Sequence, residues 1–122
     1  MANPSDGPAS AVGTEILRRS YINNLTGTTD TILINGAANY TYTVLSIIFA
    51  EVNGTDELIT LRVKYDGGST AIELMDRYPL NSLQTFVWND KFVLSETDDL
   101  WVNTQSSSAV DVYCTYIEQR WA

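Results

Sequence analysis

Apolar and polar residues alternate along most of this chain, and that alternation limits the fold more than any other feature of the sequence. In residues 58–65, LITLRVKY, Ile59, Leu61 and Val63 fall on one side of an extended chain, whereas Arg62 and Lys64 fall on the other. Residues 109–119, AVDVYCTYIEQ, repeat the pattern. A period of two in β-branched and aromatic residues is typical of half-buried β-strands.

Turn-forming segments separate these runs. They include NGAANY, VNGTDE, YDGGST and SETDD, and their Asn-Gly and Asp-Gly pairs suit tight turns. We expect an all-β fold, an antiparallel β-sandwich or jelly roll of about eight short strands. The 122 residues predict a single domain over residues 14–122. Residues 1–13, rich in Pro, Gly, Ser and Ala, predict an extended N-terminal arm.

Composition argues against several classes of protein. Fifteen acidic residues against seven basic ones give a net charge of −8, so we expect no nucleic-acid partner. Residues 1–13 contain no basic region followed by an apolar stretch, and no apolar run in the sequence is long enough to cross a membrane. We therefore expect no secretory leader, and a soluble protein with no membrane partner. The single cysteine, Cys114, excludes a disulfide within the chain.

The residues used in most enzyme active sites are missing. The chain has no histidine, which removes the usual general base, the Ser-His-Asp triad and the commonest zinc ligand. It also has no glycine-rich phosphate loop and no CxxC pair. We therefore predict a protein that is not an enzyme and uses no cofactor or metal.

One predicted strand, residues 40–52 (YTYTVLSIIFAEV), is apolar on both sides in its middle, with Val44 and Ile48 assigned to one side. Either loops of the same chain cover the second side or another subunit does. Large apolar residues also lie on the outer side of the last strand. The candidate interface residues are Leu45, Ile47, Phe49, Tyr113 and Ile117.

The acidic segment SETDD, residues 95–99, lies between two apolar runs. It lacks the D-x-D-x-D-G spacing of a calcium loop, and adjacent carboxylates on a strand point to opposite faces. We interpret Glu96, Asp98 and Asp99 as a structural turn. In this interpretation Asp99 caps backbone amides, whereas Glu96 and Asp98 are solvated.

Residues 91–118, KFVLSETDDLWVNTQSSSAVDVYCTYIE, resemble the C-terminal half of small β-sandwich virion proteins of tailed bacteriophages. The shared pattern is an apolar run ending in Leu94, then Glu96 and Asp99, then a Leu-x-Val strand, a Ser/Ala-rich turn and a final strand ending in Tyr-x-Glu. The segment TYTVLSIIFAEVNGTDELITLRV resembles the preceding hairpin of that family. The likeness covers roughly residues 30–119 and does not include the arm.

The resemblance implies a capsid decoration (cement) protein that stabilises a phage head through oligomeric and arm-mediated contacts. Its implied partners are further copies of itself, as a homotrimer, and virion proteins such as the major capsid protein. Its implied location is the virion, after assembly in the host cytoplasm. One alternative is a tail, baseplate or head-fibre component, including a receptor- or carbohydrate-binding module, and another is a carboxylate-based enzyme or metal protein. Trp88, Trp101 and Trp121 fall on separate elements, which disfavours a shared sugar-stacking platform.

Overall fold

The alternating segments form nine β-strands in the computed structural model of the protein, which describes residues 15–106 and 109–121. In chain order the strands are β1 (Glu15–Leu25), β2 (Thr31–Ile34), β3 (Tyr40–Glu51), β4 (Glu57–Lys64), β5 (Ala71–Leu80), β6 (Thr85–Trp88), β7 (Phe92–Ser95), β8 (Asp99–Thr104) and β9 (Val110–Arg120). Within the described ranges there is no helix, and so none long and apolar enough to span a membrane. The predicted arm, residues 1–13, lies outside the described residues.

The strands form two antiparallel sheets. In the five-stranded sheet β9 lies between β1 and β3, while β6 and β7 pair with successive parts of the other edge of β3. The four-stranded sheet has the order β2-β8-β4-β5. This confirms the predicted all-β antiparallel sandwich, with nine strands instead of about eight.

The hydrophobic core fills the space between the two sheets. Ile47 and Phe49 of β3 and Ile59 and Leu61 of β4 are completely buried there, and Leu100 of β8 joins them. Ile59 and Leu61 lie on the inner side, as the alternation in residues 58–65 predicts. Burial of each such side chain stabilises the fold by about 1.5–3 kcal/mol.

A β-bulge in β3 changes which residues face outward. Val44 and Ser46 are two residues apart on β3, but they pair with the adjacent residues Tyr116 and Thr115 of β9. β3 therefore carries one extra residue, Leu45, at this point. The in–out alternation therefore reverses after Val44. Val44 and Ile47 both face the core, whereas Ile48 faces outward. The assignment of Val44 and Ile48 to the same side is wrong for this reason.

Candidate functional site

The outer face of the five-stranded sheet is rich in apolar side chains. Because alternate residues of a strand share a face, the register brings these residues into rows across the strands. One row, which we call the central row, consists of Tyr21 on β1, Tyr113 on β9, Ile48 on β3 and Val87 on β6. We call the whole surface the apolar face. Its apolar members are Leu17, Tyr21, Ile48, Val87, Val93, Tyr113 and Ile117.

Most of these side chains are open to solvent. Leu17 is 66% exposed and Tyr21 is 60% exposed. The rings of Tyr21 and Tyr113 stack with their centroids 6.4 Å apart, and the Arg19 guanidinium lies 5.3 Å from the centre of the Tyr21 ring. A groove of about 370 Å³ runs beside the central row, and Asp111 lies along it. An exposed surface with this many large apolar side chains is typical of a protein–protein contact site.

The interface residues predicted from sequence separate into two groups. Ile47 and Phe49 are completely buried in the core, so their placement at an interface is wrong, and the bulge in β3 is the physical reason. Leu45 lies at that bulge and is half-buried. Tyr113 is exposed on the apolar face, and Ile117, half-buried, lies on the same side of β9. Sequence reasoning missed Ile48, because the bulge leaves no mark in the alternation.

The outer face of the four-stranded sheet has the opposite character. Asp30 accepts a hydrogen bond from Asn103 (2.6 Å) and forms ion pairs with Lys64 (3.0 Å) and Arg62 (3.3 Å). The Lys64 ammonium also lies 4.0 Å from the centre of the Trp101 ring. Partial burial by itself would raise the pKa of Asp30, but hydrogen bonds from Asn103 and Lys64 and the two positive charges outweigh it and hold that pKa below 3.8. The charges on this face are thus matched within the chain.

The acidic segment 95–99 connects β7 of one sheet to β8 of the other. Asp98 accepts hydrogen bonds from the backbone amides of Ser95 and Asp66, both at 3.0 Å. Asp99 accepts one from the amide of Gly36 at 2.8 Å. The interpretation of Asp98 as a solvated residue is therefore wrong. Its carboxylate fixes both its own turn and the loop after β4. Exposed Glu96 has a positive φ of 53°.

These carboxylates hold different loops and do not converge. A Cβ on Gly36 would overlap the backbone carbonyl oxygens of Glu96 and Asp98, so the loop after β2 packs directly on this turn. Across the described part of the chain, no three His, Cys, Asp or Glu side chains are grouped so that they could hold a metal ion. The geometry favours the interpretation of this segment as a structural turn.

Two further carboxylates are buried, and sequence reasoning did not single them out. Glu51, at the end of β3, accepts hydrogen bonds from the amides of the following loop (Asn53, Gly54 and Thr55, 2.8–3.2 Å) and from the amide of Leu83 (3.0 Å). Glu57 accepts hydrogen bonds from the backbone amides of residues 58, 105 and 106 and from a serine hydroxyl. Their oxygens are occupied with loop amides, which makes them structural residues rather than acid–base catalysts.

Burial also suppresses the reactivity of the other titratable groups in the core. It raises the pKa of the Cys114 thiol to about 12. Burial, reinforced by the charge of Glu118, raises the pKa of the Tyr42 phenol to about 12, and burial raises the pKa of Tyr116 as well. A reactive cysteine needs a lowered pKa and access to solvent, and Cys114 has neither.

The three tryptophans lie in different environments. Trp88 is half-buried at the margin of the core and donates to the carbonyl of Asp90, and Trp101 lies under Lys64. Trp121, just after β9, is exposed and donates to the Thr41 hydroxyl. They form no common platform for stacking on a sugar.

The sequence matches no protein-family model and shows no significant similarity to a curated protein. Among solved structures, the chain is similar to a subunit of Bacillus endospore appendages, described as a family of disulfide-linked pili. The TM-score is 0.55 at 16% identity, and the match covers 96% of this chain and 97% of that one.

A second similar structure is a chain of infectious bursal disease virus, Gx strain, with a TM-score of 0.52 at 8% identity. That match covers 89% of this chain but only 32% of the viral one, so the protein spans about a third of its length. A pentameric capsid protein isolated from metagenomic phage sequences has a TM-score of 0.42 at 15% identity, over 83% of this chain and 61% of that one. At these identities the two likenesses with TM-scores above 0.5 show the fold alone, a β-sandwich.

Proposed function

We propose that this chain is a non-enzymatic structural subunit of a virion, most specifically a capsid decoration (cement) protein. The observation that carries the proposal is the apolar face, with Tyr21 and Leu17 each more than half exposed on one side of a sandwich whose other side is charged and internally paired. Such a subunit acts by binding free energy alone, and a large apolar contact supplies it.

The buried carboxylates and thiol support a structural role over an enzymatic one. Glu51 and Glu57 are engaged by backbone amides, and Cys114 is buried with a raised pKa. The likeness to a chain of a virus with a TM-score above 0.5 is consistent with the same role. The expected homotrimer, the arm contact through residues 1–13, the major capsid protein as partner and assembly in the host cytoplasm remain predictions.

A second candidate, the subunit of a pilus-like filament, is favoured by the end-to-end match to the spore appendage subunit. That neighbour is described as disulfide-linked. Here the chain has one cysteine, Cys114, which is completely buried in the middle of β9. A disulfide between copies would require β9 to be pulled out of its sheet, so a filament of this chain would have to be held by noncovalent contacts.

The test is reconstitution with particles. Virions that carry the protein are stripped of it, their resistance to heat is measured, and purified protein is added back at stoichiometric amounts. A decoration protein restores the lost resistance and is seen on the outer surface by electron microscopy. Filaments of the purified protein in negative stain would instead favour the pilus-like subunit. Protein that stays monomeric and binds no particle would overturn both candidates.

A further inference from the structure

We propose that the apolar face binds the same face of a second copy, related by a two-fold rotation about the central row. The inference rests on the proposed function, because it names the first contact that a self-assembling subunit of this shape would make. In this arrangement Tyr113 and Ile48 lie opposite their own counterparts in the partner copy. The unit of assembly is then a dimer instead of the expected homotrimer.

The exposed area is large enough for such a contact. The most exposed apolar side chains of the face, from Leu17 and Tyr21 to Val93, leave roughly 600 Å² open, the upper limit of apolar patches on ordinary monomers. With the polar residues between them, the face approaches the roughly 800 Å² that each partner gives to a standard interface. Two sheets packed in this way would lie about 10 Å apart, as in a β-sandwich.

The charges on the face match a two-fold rotation. Arg19 is two residues before Tyr21 on β1, and Asp111 is two residues before Tyr113 on β9. Because β1 and β9 are antiparallel, the backbone positions of these two charged residues lie on opposite sides of the central row, while the Arg19 side chain extends over the Tyr21 ring and lines the same groove as Asp111. No carboxylate of the described residues forms an ion pair with Arg19, which lies over the Tyr21 ring.

A rotation about the central row exchanges its two sides. It therefore brings the backbone of Arg19 of each copy over the backbone of Asp111 of the other, displaced sideways by about one strand spacing of 4.8 Å. To span that distance the Arg19 side chain leaves the Tyr21 ring and extends toward the partner copy. Two equivalent Arg–Asp contacts would form, as an isologous interface requires. A translated or head-to-tail stacking of the same faces would not place both charges opposite a partner of opposite sign.

The first experiment measures self-association of the full chain by sedimentation velocity over a range of concentrations. Ile48→Glu places a charge in the central row, and we expect it to raise the dimer dissociation constant by roughly 100-fold, which corresponds to about 2.7 kcal/mol. The matched control is Ile72→Glu on β5 of the other sheet, at a residue that is more exposed than Ile48 (55% against 37%). The control should dimerise as the parent does, and thermal melts should show that both variants are folded.

The second experiment uses charge reversal in separate chains. Arg19→Glu and Asp111→Arg should each weaken homodimers roughly tenfold or more, because like charges then oppose each other. Asp111 also accepts a hydrogen bond from the amide of Asn24, so loss of dimer by that variant alone is not decisive. Mixing the two variants should restore association as heterodimers, since each pair of opposed residues then has opposite signs. Rescue by mixing cannot arise from effects within one chain.

The third measurement is cross-linking of Ile48→Cys with a short bis-maleimide. Cys114 is buried with a pKa of about 12, so it should not react. The central row predicts self-cross-linking of Ile48→Cys, while Ile72→Cys should remain monomeric on a denaturing gel. If Ile48→Cys cross-links only after residues 1–13 are removed, the arm covers the face and the proposal is wrong.

Two other outcomes also contradict the two-fold contact. A trimer, or a dimer that survives Ile48→Glu, would show that self-association uses another surface, and the proposed function would stand while this inference fails. If the parent protein associates neither with itself nor with particles at any concentration, both the proposed function and the two-fold contact are wrong.

Discussion

Removing the Asp98 carboxylate should destabilise the protein more than removing either neighbouring carboxylate of the acidic segment. Asp98 is half-buried and accepts from two backbone amides, those of Ser95 and Asp66. Asp99 accepts from one, that of Gly36. The exposed side chain of Glu96 lies on a turn residue with positive φ.

The magnitudes follow from these contacts. A backbone amide bonded to a carboxylate near the surface contributes about 0.5–1 kcal/mol, so Asp98→Ala should cost about 1.5 kcal/mol and Asp99→Ala about 1 kcal/mol. Glu96→Ala should change the free energy of unfolding by less than about 0.5 kcal/mol. Asp98→Asn keeps a single acceptor oxygen and should fall between Asp98→Ala and the parent. At about 4 °C per kcal/mol for a domain of this size, Asp98→Ala should melt about 6 °C below the parent.

Thermal melts followed by circular dichroism, with and without calcium, measure this order directly. A melting temperature for Asp98→Ala within about 1 °C of the parent would refute the reasoning, since both amides would then have found water without cost. A calcium-dependent rise that disappears in the Asp98 or Asp99 variant would show a metal site in place of a structural turn.

Three further predictions concern the core and the loops. Glu51→Ala should lower the free energy of unfolding by about 3–4 kcal/mol, measured by urea titration, because four loop amides lose their acceptor, and Glu51→Gln should lower it less. Gly36→Ala should cost about 2–3 kcal/mol in the same assay, since its Cβ would overlap backbone carbonyl oxygens that cannot move independently. The free energy of unfolding should fall as the pH rises above 9. The Cys114 thiol and the Tyr42 phenol have ordinary pKa values of 9.0 and 10.0, whereas in the folded chain both pKa values are about 12. Above pH 9 these groups therefore ionise in the unfolded chain before they do so in the folded chain, which favours unfolding. Melts between pH 8 and 11 should therefore show a smaller decline for Cys114→Ala.

The sequence was sufficient to predict the sandwich because apolar and polar residues alternate along most of its strands. It did not identify β1, in which Arg18 and Arg19 are adjacent and so lie on opposite faces. Apolar Leu17 and Tyr21 share the outer face with Arg19, and the expected contrast between a wet and a dry side is absent. Apolar residues on the outer face of β1 break the alternation of polar and apolar residues in the sequence. The same exposed apolar residues make this surface a candidate for binding.

The details of the site depended on contacts between distant residues. Nothing near Asp98 in the sequence indicates that it would bond to the amide of Asp66, and nothing near Asp30 indicates Lys64 or Asn103 as partners. The bulge between Val44 and Ser46 is also set by pairing with β9 and not by a local residue such as glycine. Such features arise from the register of strands that are far apart in the chain, which local patterns do not encode.

The central position of β9 has a consequence for the order of events during synthesis. Glu15 pairs with Gln119, so β1 leaves the ribosome long before its ladder partner exists. The central row is equally incomplete until Tyr113 arrives between Tyr21 and Ile48. A nascent or prematurely terminated chain would therefore lack the surface with which, on our proposal, finished subunits recognise one another. Only chains in which β9 has been synthesised and inserted into its sheet would then assemble, and unfinished subunits would be kept out of the particle.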